Sequence, residues 1–172
     1  KRVVDNRVHE ILQKNNIEVY KESRLTEDLI SELGIKNIFL ATGSSWRKDG
    51  VGRSRRSPIQ GLESIKVYSP EEAVQNHKDI KASIVVYDDE QGYLAGVIAD
   101  HLKTKNVEVV FITPASVVSP WTDSTLEQKR VQESLINSGV KIICNQSIHK
   151  IENATALLEC TYTGSITKVP CK

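Results

Sequence analysis

The chain has 172 residues, 39% of them hydrophobic and 26% charged, the composition of an ordinary soluble globular chain of about one domain with room for a second small one. Its 23 basic and 22 acidic side chains leave a net charge of +1, so no global field draws it to nucleic acid or to an anionic membrane. No apolar stretch approaches the ~18 residues that span a bilayer, and no basic-then-apolar leader opens the chain, so neither a membrane role nor secretion is expected.

Two further counts set the context. There is no methionine and the sequence opens on Lys1, from which we expect it to begin inside a longer protein. Cys144, Cys160 and Cys171 stand 16 and 11 positions apart, a spacing that fits no zinc or iron–sulfur motif and leaves one thiol over, so a reduced, cytoplasmic setting is expected and no metal ligand is assigned.

Taken in chain order, Val4, Val8, Ile11 and Leu12 recur at helical spacing over residues 3–14. Ile17-Glu18-Val19-Tyr20 alternates as a short strand, and Thr26-Glu27-Asp28 reads as an N-cap with first-turn acids, opening a helix that stops at Gly34. Asn37 to Ala41 is apolar on successive positions, the pattern of a strand buried on both faces, and ends at Thr42-Gly43-Ser44. From Ser45 to about Ser64 the pattern is lost among Gly50, Gly52, Pro58 and Gly61, giving a loop or linker. Ser69-Pro70-Glu71-Glu72 starts a short helix with Pro at its first position.

Residues 83–113 form the clearest unit. A strand over 83–87, a helix from about Tyr93 to Lys105 and a strand over 107–113 make a βαβ element whose strands should run parallel. A helix over 125–138 ends at Gly139, a strand follows over 140–144, and 147–152, 156–162 and 166–169 alternate like antiparallel strands, leaving a sheet open at Lys172.

The turn of the βαβ unit is where a dinucleotide pyrophosphate would meet a helix N-terminus, and it needs glycines for close backbone approach. Here it reads Asp88-Asp89-Glu90-Gln91-Gly92-Tyr93, with one glycine and three carboxylates. Like charges within about 4 Å repel by roughly 1–4 kcal/mol per pair, so the unit is predicted not to bind NAD(P) in the usual pose. The acidic turn reads either as helix capping or, beside Tyr93, as a cation site or a contact with a neighbouring domain. Thr42-Gly43, at a strand tip, reads either as a tight turn or as a place where backbone approaches a cofactor. Arg47, Lys48, Arg53, Arg55 and Arg56 read as a solvated basic loop or as a phosphate or RNA contact, though no aromatic residues interleave the run after Trp46. His9, His77, His101 and His149 fall in separate elements at no catalytic spacing, and neither a nucleophile elbow, a P-loop nor a zinc signature is present. No residue is assigned a catalytic role.

Several motifs together carry a resemblance. Leu40-Ala41-Thr42-Gly43 with Trp46, Pro58-Ile59-Gln60-Gly61 and Ser69-Pro70-Glu71-Glu72-Ala73 resemble the pyridine-nucleotide-reductase module of flavoproteins. Val85-Val86-Tyr87-Asp88-Asp89 with Tyr93-Leu94-Ala95-Gly96-Val97, and Val118-Ser119-Pro120-Trp121-Thr122 continued by Thr125 to Gln128, resemble more narrowly the C-terminal region of the trimethylamine, dimethylamine and histamine dehydrogenases, relatives of 2,4-dienoyl-CoA reductase. The resemblance runs from about Val8 to Ile151.

It implies an α/β, Rossmann-like nucleotide-reductase fold of the FAD/NAD(P)-binding kind, with a parallel βαβ core and a small antiparallel β segment. Residues 1–45 would be the tail of an ADP- or FAD-type nucleotide domain, 46–80 a linker with the basic loop, and 81–172 an inserted, degenerate NAD(P)-like domain that is incomplete at its C-terminal end. It implies a homodimeric parent enzyme whose TIM barrel carries FMN and a 4Fe–4S cluster, which demethylates or deaminates small amines and passes electrons to an electron-transferring flavoprotein. Ala41, Thr42 and Gly43, with Trp46, are the residues the resemblance places beside ADP. Family members that use NAD(P)H keep glycines where this chain has Asp88 to Tyr93, which favours the amine-dehydrogenase branch over an NAD(P)H-dependent flavin oxidoreductase. A stand-alone interaction domain is the reading from a different class.

Overall fold

The computed structural model describes residues 2–75, 80 and 83–171 and divides into two units, 1–43 and 44–172. In the first unit, α1 (Arg2–Leu12) follows the expected periodicity, but none of its residues is buried. α2 (Glu27–Glu32) is capped as its sequence predicts, with Thr26 Oγ1 accepting from the Leu29 N–H at 3.4 Å, and Gly34 follows it at φ +64°. The two strands expected at 17–20 and 37–41 are absent. Neither segment has a partner strand among the described residues, and Phe39 and Leu40 are 95% and 80% exposed. An apolar run becomes a strand only when a neighbour takes its N–H and C=O groups, and here no neighbour does.

The second unit is layered. β1 (Ile84–Tyr87), β2 (Val109–Ile112) and β3 (Lys141–Ile143) form a parallel sheet in the order β1-β2-β3. α4 (Leu94–Thr104) connects β1 to β2, as predicted for the βαβ unit, and α5 (Gln128–Asn137) lies between β2 and β3. β4 (Gln146–Glu152), β5 (Thr155–Cys160) and β6 (Ile166–Pro170) form an antiparallel sheet in sequence order, also as predicted. α3 (Pro70–Gln75) precedes β1 and buries Ala73; His77, Lys1 and Lys172 lie outside the described residues.

Strand periodicity decides what each face of the parallel sheet covers. Ile84, Val86, Val109, Phe111 and Ile142 pack with Ile98, Ala99 and Leu102 of α4 and with Val131 and Leu135 of α5. Val85, Tyr87, Val110, Ile112 and Ile143 point the other way and pack with Ile148, Ile151, Ala156 and Leu158 of the antiparallel sheet. Both faces are thus covered, which is why β1 and β2 read as unbroken apolar runs.

The helix expected over 125–138 is present as α5 and starts three residues later than expected. A 3-10 segment spans Pro120–Thr125, Leu126 takes a left-handed φ of +60°, and α5 begins at Gln128. The stretch after residue 44, which carries no long element, is docked on the unit: Ile59 is buried with the antiparallel sheet, and the Ile151 N–H donates to Gln60 O at 2.8 Å. Gly61, at φ +82°, passes so close to the Ile151 carbonyl that a Cβ would strike it. No described helix is long and apolar enough to cross a membrane.

The layering makes a contrast that chemical denaturation can read. Phe111 has no exposed surface, so Phe111→Ala should cost about 3–5 kcal/mol, whereas Phe39→Ala should change the stability of this chain by no more than about 0.5 kcal/mol.

Candidate functional site

The tip of β1 is the place a nucleotide phosphate would occupy in this topology, and its chemistry begins at Asp88. Its backbone is tied to β2: the Asp88 N–H donates to Ile112 O at 2.8 Å, and the Thr113 hydroxyl donates to Asp88 O at 3.2 Å. The side chain, 1% exposed, turns back on its own loop, where Oδ1 accepts from the Gln91 N–H at 2.8 Å. Such a bond closes the chain into a tight turn and leaves Gln91 at φ +63°. Oδ2 is buried without a hydrogen-bond partner. Burial pushes the Asp88 carboxyl up to about 6, against the Gln91 N–H that favours the charged form and together with the nearby Glu90 and Asp89 charges.

The helix-capping reading of this acidic turn is not what the structure adopts. Tyr93 occupies the N-cap of α4 with no side-chain capping bond, and the first turn of the helix holds no acid. Asp88 caps its own turn, and Asp89 reaches to another segment altogether. The cation reading finds no ligand set either: among the described residues, no three His, Cys, Asp or Glu side chains converge to hold a metal ion.

Asp89 projects onto the loop after Gly52. Its carboxylate accepts the Arg53 N–H through Oδ2 and the Ser54 N–H through Oδ1 at 3.0 Å, while the Tyr87 hydroxyl stands 3.5 Å from Oδ1. Successive backbone N–H groups aimed at one point form an anion cradle. A glycine is required at its lip, because a Cβ on Gly52 would run into the Asp89 carboxylate. Burial, followed by the Asp89 charge, raises the Tyr87 hydroxyl well above its ordinary value, so it stays protonated.

The basic run is exposed at Arg47, Lys48, Arg53 and Arg56, as a solvated loop is, and half-buried at Arg55, and most of its side chains have partners within the chain. The Arg53 guanidinium lies over the Trp121 ring, 4.4 Å from its centroid, and the Trp121 N–H donates to Gln91 O at 3.2 Å. Arg55 donates from Nε to Ser57 O at 2.8 Å and from Nη1 to Ile148 O at 3.1 Å, beside the irregularity in β4. Arg47 pairs with Asp49 and Lys48 with Glu72, each at 2.5 Å. Three segments therefore meet at the β1 tip: the basic loop, the acidic turn and the 3-10 segment carrying Trp121. Sequence reasoning missed this convergence, although Gly52 and Trp121 were its visible signals.

A dinucleotide site of this kind also places an acid, or an Arg, beyond the second strand for the ribose. Thr113 stands at that tip, fully buried with its hydroxyl committed to Asp88 O, and Pro114, Ala115 and Ser116 follow. Gly96 does keep the close packing expected early in the helix of such a unit: a Cβ there would lie 2.6 Å from Val131 Cγ1 and 3.3 Å from Ser119 Oγ. Gly96 thus serves the packing of α4 against α5 and the segment at Ser119.

The residues expected beside ADP lie apart from this turn in sequence. Ala41, Thr42 and Gly43 are exposed at the end of the first unit, with Gly43 at φ +76° and nothing within 4 Å of where its Cβ would be. Trp46, 46% exposed, belongs to the second unit. Of the described histidines, His9 is exposed on α1, His101 lies in α4, and His149 meets Glu159 at 3.2 Å on the antiparallel sheet. They form no group.

Asp88 gives the site a pH signature. Its folded value of about 6 exceeds the ordinary 3.8, so the folded state holds a proton that the unfolded chain releases between these values. Stability from this group is therefore full below about pH 4 and is lost as pH rises to about 6, a swing of about 3 kcal/mol. Asp88→Asn should flatten that slope and raise stability at pH 7.5 by about 1–3 kcal/mol, as urea denaturation at several pH values would register.

No protein-family profile matches the chain. It is similar to histamine dehydrogenase from Rhizobium sp. 4-9, at 34% identity and a TM-score of 0.85 over 99% of this chain and 26% of that one. It is similar also to the 6-hydroxypseudooxynicotine amine oxidase of Pseudomonas geniculata N1, at 32% identity and a TM-score of 0.84 over 99% of this chain and 25% of that one. The dimethylamine dehydrogenase of Hyphomicrobium sp. (strain x) is 24% identical over 134 residues, 77% of this chain and 18% of that protein. A likeness in fold alone extends to a NAD-dependent persulfide reductase from A. fulgidus, at 22% identity and a TM-score of 0.50. The chain thus spans about a quarter or less of each amine-oxidising relative, and it belongs to the trimethylamine, dimethylamine and histamine dehydrogenase family, in the C-terminal region of those enzymes.

Proposed function

We propose that the chain is a nucleotide-domain module of an amine-dehydrogenase-type flavoprotein oxidoreductase, with a scaffold role and no catalytic residue of its own. The observation that carries this reading is the turn after β1, where a nucleotide fold would bring a phosphate: it holds three carboxylates, of which Asp89 takes the Arg53 and Ser54 N–H groups. Residues 1–45 would close an adenine-nucleotide domain, 46–80 link it, and 81–172 supply the degenerate NAD(P)-like domain. Thr42 and Gly43, with Ala41 and less directly Trp46, would lie beside ADP. An exposed glycine in the left-handed region offers the close backbone approach that role needs, although these residues bring few donors of their own.

The parent enzyme would oxidise a small amine by N-demethylation or deamination. FMN would accept the electron pair, and a 4Fe–4S cluster would pass electrons singly to an electron-transferring flavoprotein. The described residues do not fit the cluster: Cys144, between β3 and β4, and Cys160, in β5, are half-buried, Cys171 is buried, and no ligand set forms among them. Those chemistries would belong to other parts of the parent, and this module would contribute packing and the adenine-nucleotide side.

Rapid-mixing reduction of the full-length flavoprotein provides the test. A small aliphatic amine or histamine should bleach the flavin, while NADH and NADPH should not reduce it on the same timescale, and the 172-residue chain should show no saturable heat with millimolar NADPH. Reduction by NADPH as fast as by any amine would instead establish an NAD(P)H-dependent flavin oxidoreductase.

A further inference from the structure

The cradle at residues 52–54 has the chemistry of an anion site, and the anion in it belongs to the chain itself. Two N–H groups meet one carboxylate, a glycine makes room for it, and none of the basic side chains of the loop is paired with Asp89. We infer that Asp89 is a built-in plug: its carboxylate fills a backbone cradle whose own preference is for a phosphate group, and this occupation closes the β1 tip to nucleotide phosphates.

The cradle is held in shape by bonds that do not involve Asp89. The Gly52 N–H donates to Arg55 O at 3.0 Å, and the Arg55 guanidinium fastens the loop to Ser57 O and to Ile148 O. On the opposite side, Arg53 lies on Trp121, which is joined to Gln91 of the acidic turn. Removing the Asp89 carboxylate therefore leaves two aimed N–H groups with no acceptor, beside an Arg53 side chain whose charge faces an aromatic ring and not a carboxylate. An acceptor tethered to the same chain is present at a high effective concentration, so a free phosphate must compete from solution against an intramolecular contact. Glu90 and the buried Asp88 lie on the same turn and add negative charge, which makes Asp89 the plug and its neighbours a further barrier to a dianion.

This inference rests on reading residues 81–172 as a degenerate nucleotide domain, and the experiment separates the two. In the intact protein, the amide resonances of Arg53 and Ser54 are followed during titration with inorganic phosphate and then pyrophosphate. Asp89→Gly should give saturable shifts at both amides, at concentrations at least about tenfold below any that move them in the native protein. Asp89→Asn keeps the shape and loses the charge, and should show the same ordering if the glycine variant fails to fold. Adding Gly52→Ala to Asp89→Gly should suppress the response by putting a methyl group into the vacated space.

Equal responses from the native protein and the variants, or natively folded variants with no shift at Arg53 and Ser54, would overturn the plug. Binding of NADPH by the native protein without movement of these two amides would count against the degenerate-domain reading alone, with the phosphate response of the variants unaffected.

Discussion

The second unit depends on a three-stranded parallel sheet being covered on both of its faces. Val110 and Ile112 cannot be withdrawn from one side without exposing them, since Val109 and Phe111 already face the helices. That requirement fixes the antiparallel sheet in place as the second cover, and it fixes the docking of Ile59 beside Ile148 and Ile151. The loop that bears Arg53 and Arg55 is carried along with Ile59, whose N–H donates to Asp49 O at 2.9 Å. The approach of the basic loop to the tip of β1 is thus a consequence of hydrophobic burial several residues away. The polar contacts then select one arrangement from those the packing permits.

Those polar contacts are of unequal weight. A hydrogen bond from a backbone N–H to a charged acceptor contributes about 1.5–3 kcal/mol, and the exposed stack of Arg53 on Trp121 about 0.5–1 kcal/mol. The surface ion pairs of Arg47 and Lys48 contribute little by comparison, since both partners remain well exposed. Against these gains stand the buried Asp88 carboxyl with one unsatisfied oxygen and the left-handed backbone of Gln91 and Ser119. Unfavourable features gathered at a strand tip are the usual mark of a ligand site in this topology. Here they surround a turn in which the chain satisfies itself.

What the sequence makes legible follows from how local each constraint is. β1, α4 and β2 are readable because their apolar runs and helical period are written in consecutive residues, and the antiparallel strands are readable from alternation. The same reasoning fails for Asn37 to Ala41, whose composition matches β1, because a strand is defined by its partner and Phe39 has none among the described residues. It misplaces the start of the helix expected from residue 125, because Leu126 takes a left-handed φ and α5 begins at Gln128. The acidic turn shows the limit most clearly. Its charges argue against close approach of a pyrophosphate, yet nothing near residue 89 in the sequence indicates that the donors to its carboxylate lie at residues 53 and 54.

That long-range pairing bears on how a turn in this topology can carry three acids and keep its shape. Substituting glycines of a phosphate turn by acids leaves the facing N–H groups without their acceptor and adds repelling charges. Both faults are costly when they stand alone. They cancel where one of the carboxylates reaches such donors, and Asp89 does so while the glycine at position 52 gives it clearance. Gly96 remains for a separate reason, since the close contact with Val131 belongs to helix packing and would be lost with any side chain. The glycines around this turn therefore divide by function: Gly96 serves the packing of α4, and Gly52 gives the Asp89 carboxylate room against the Arg53 and Ser54 N–H groups.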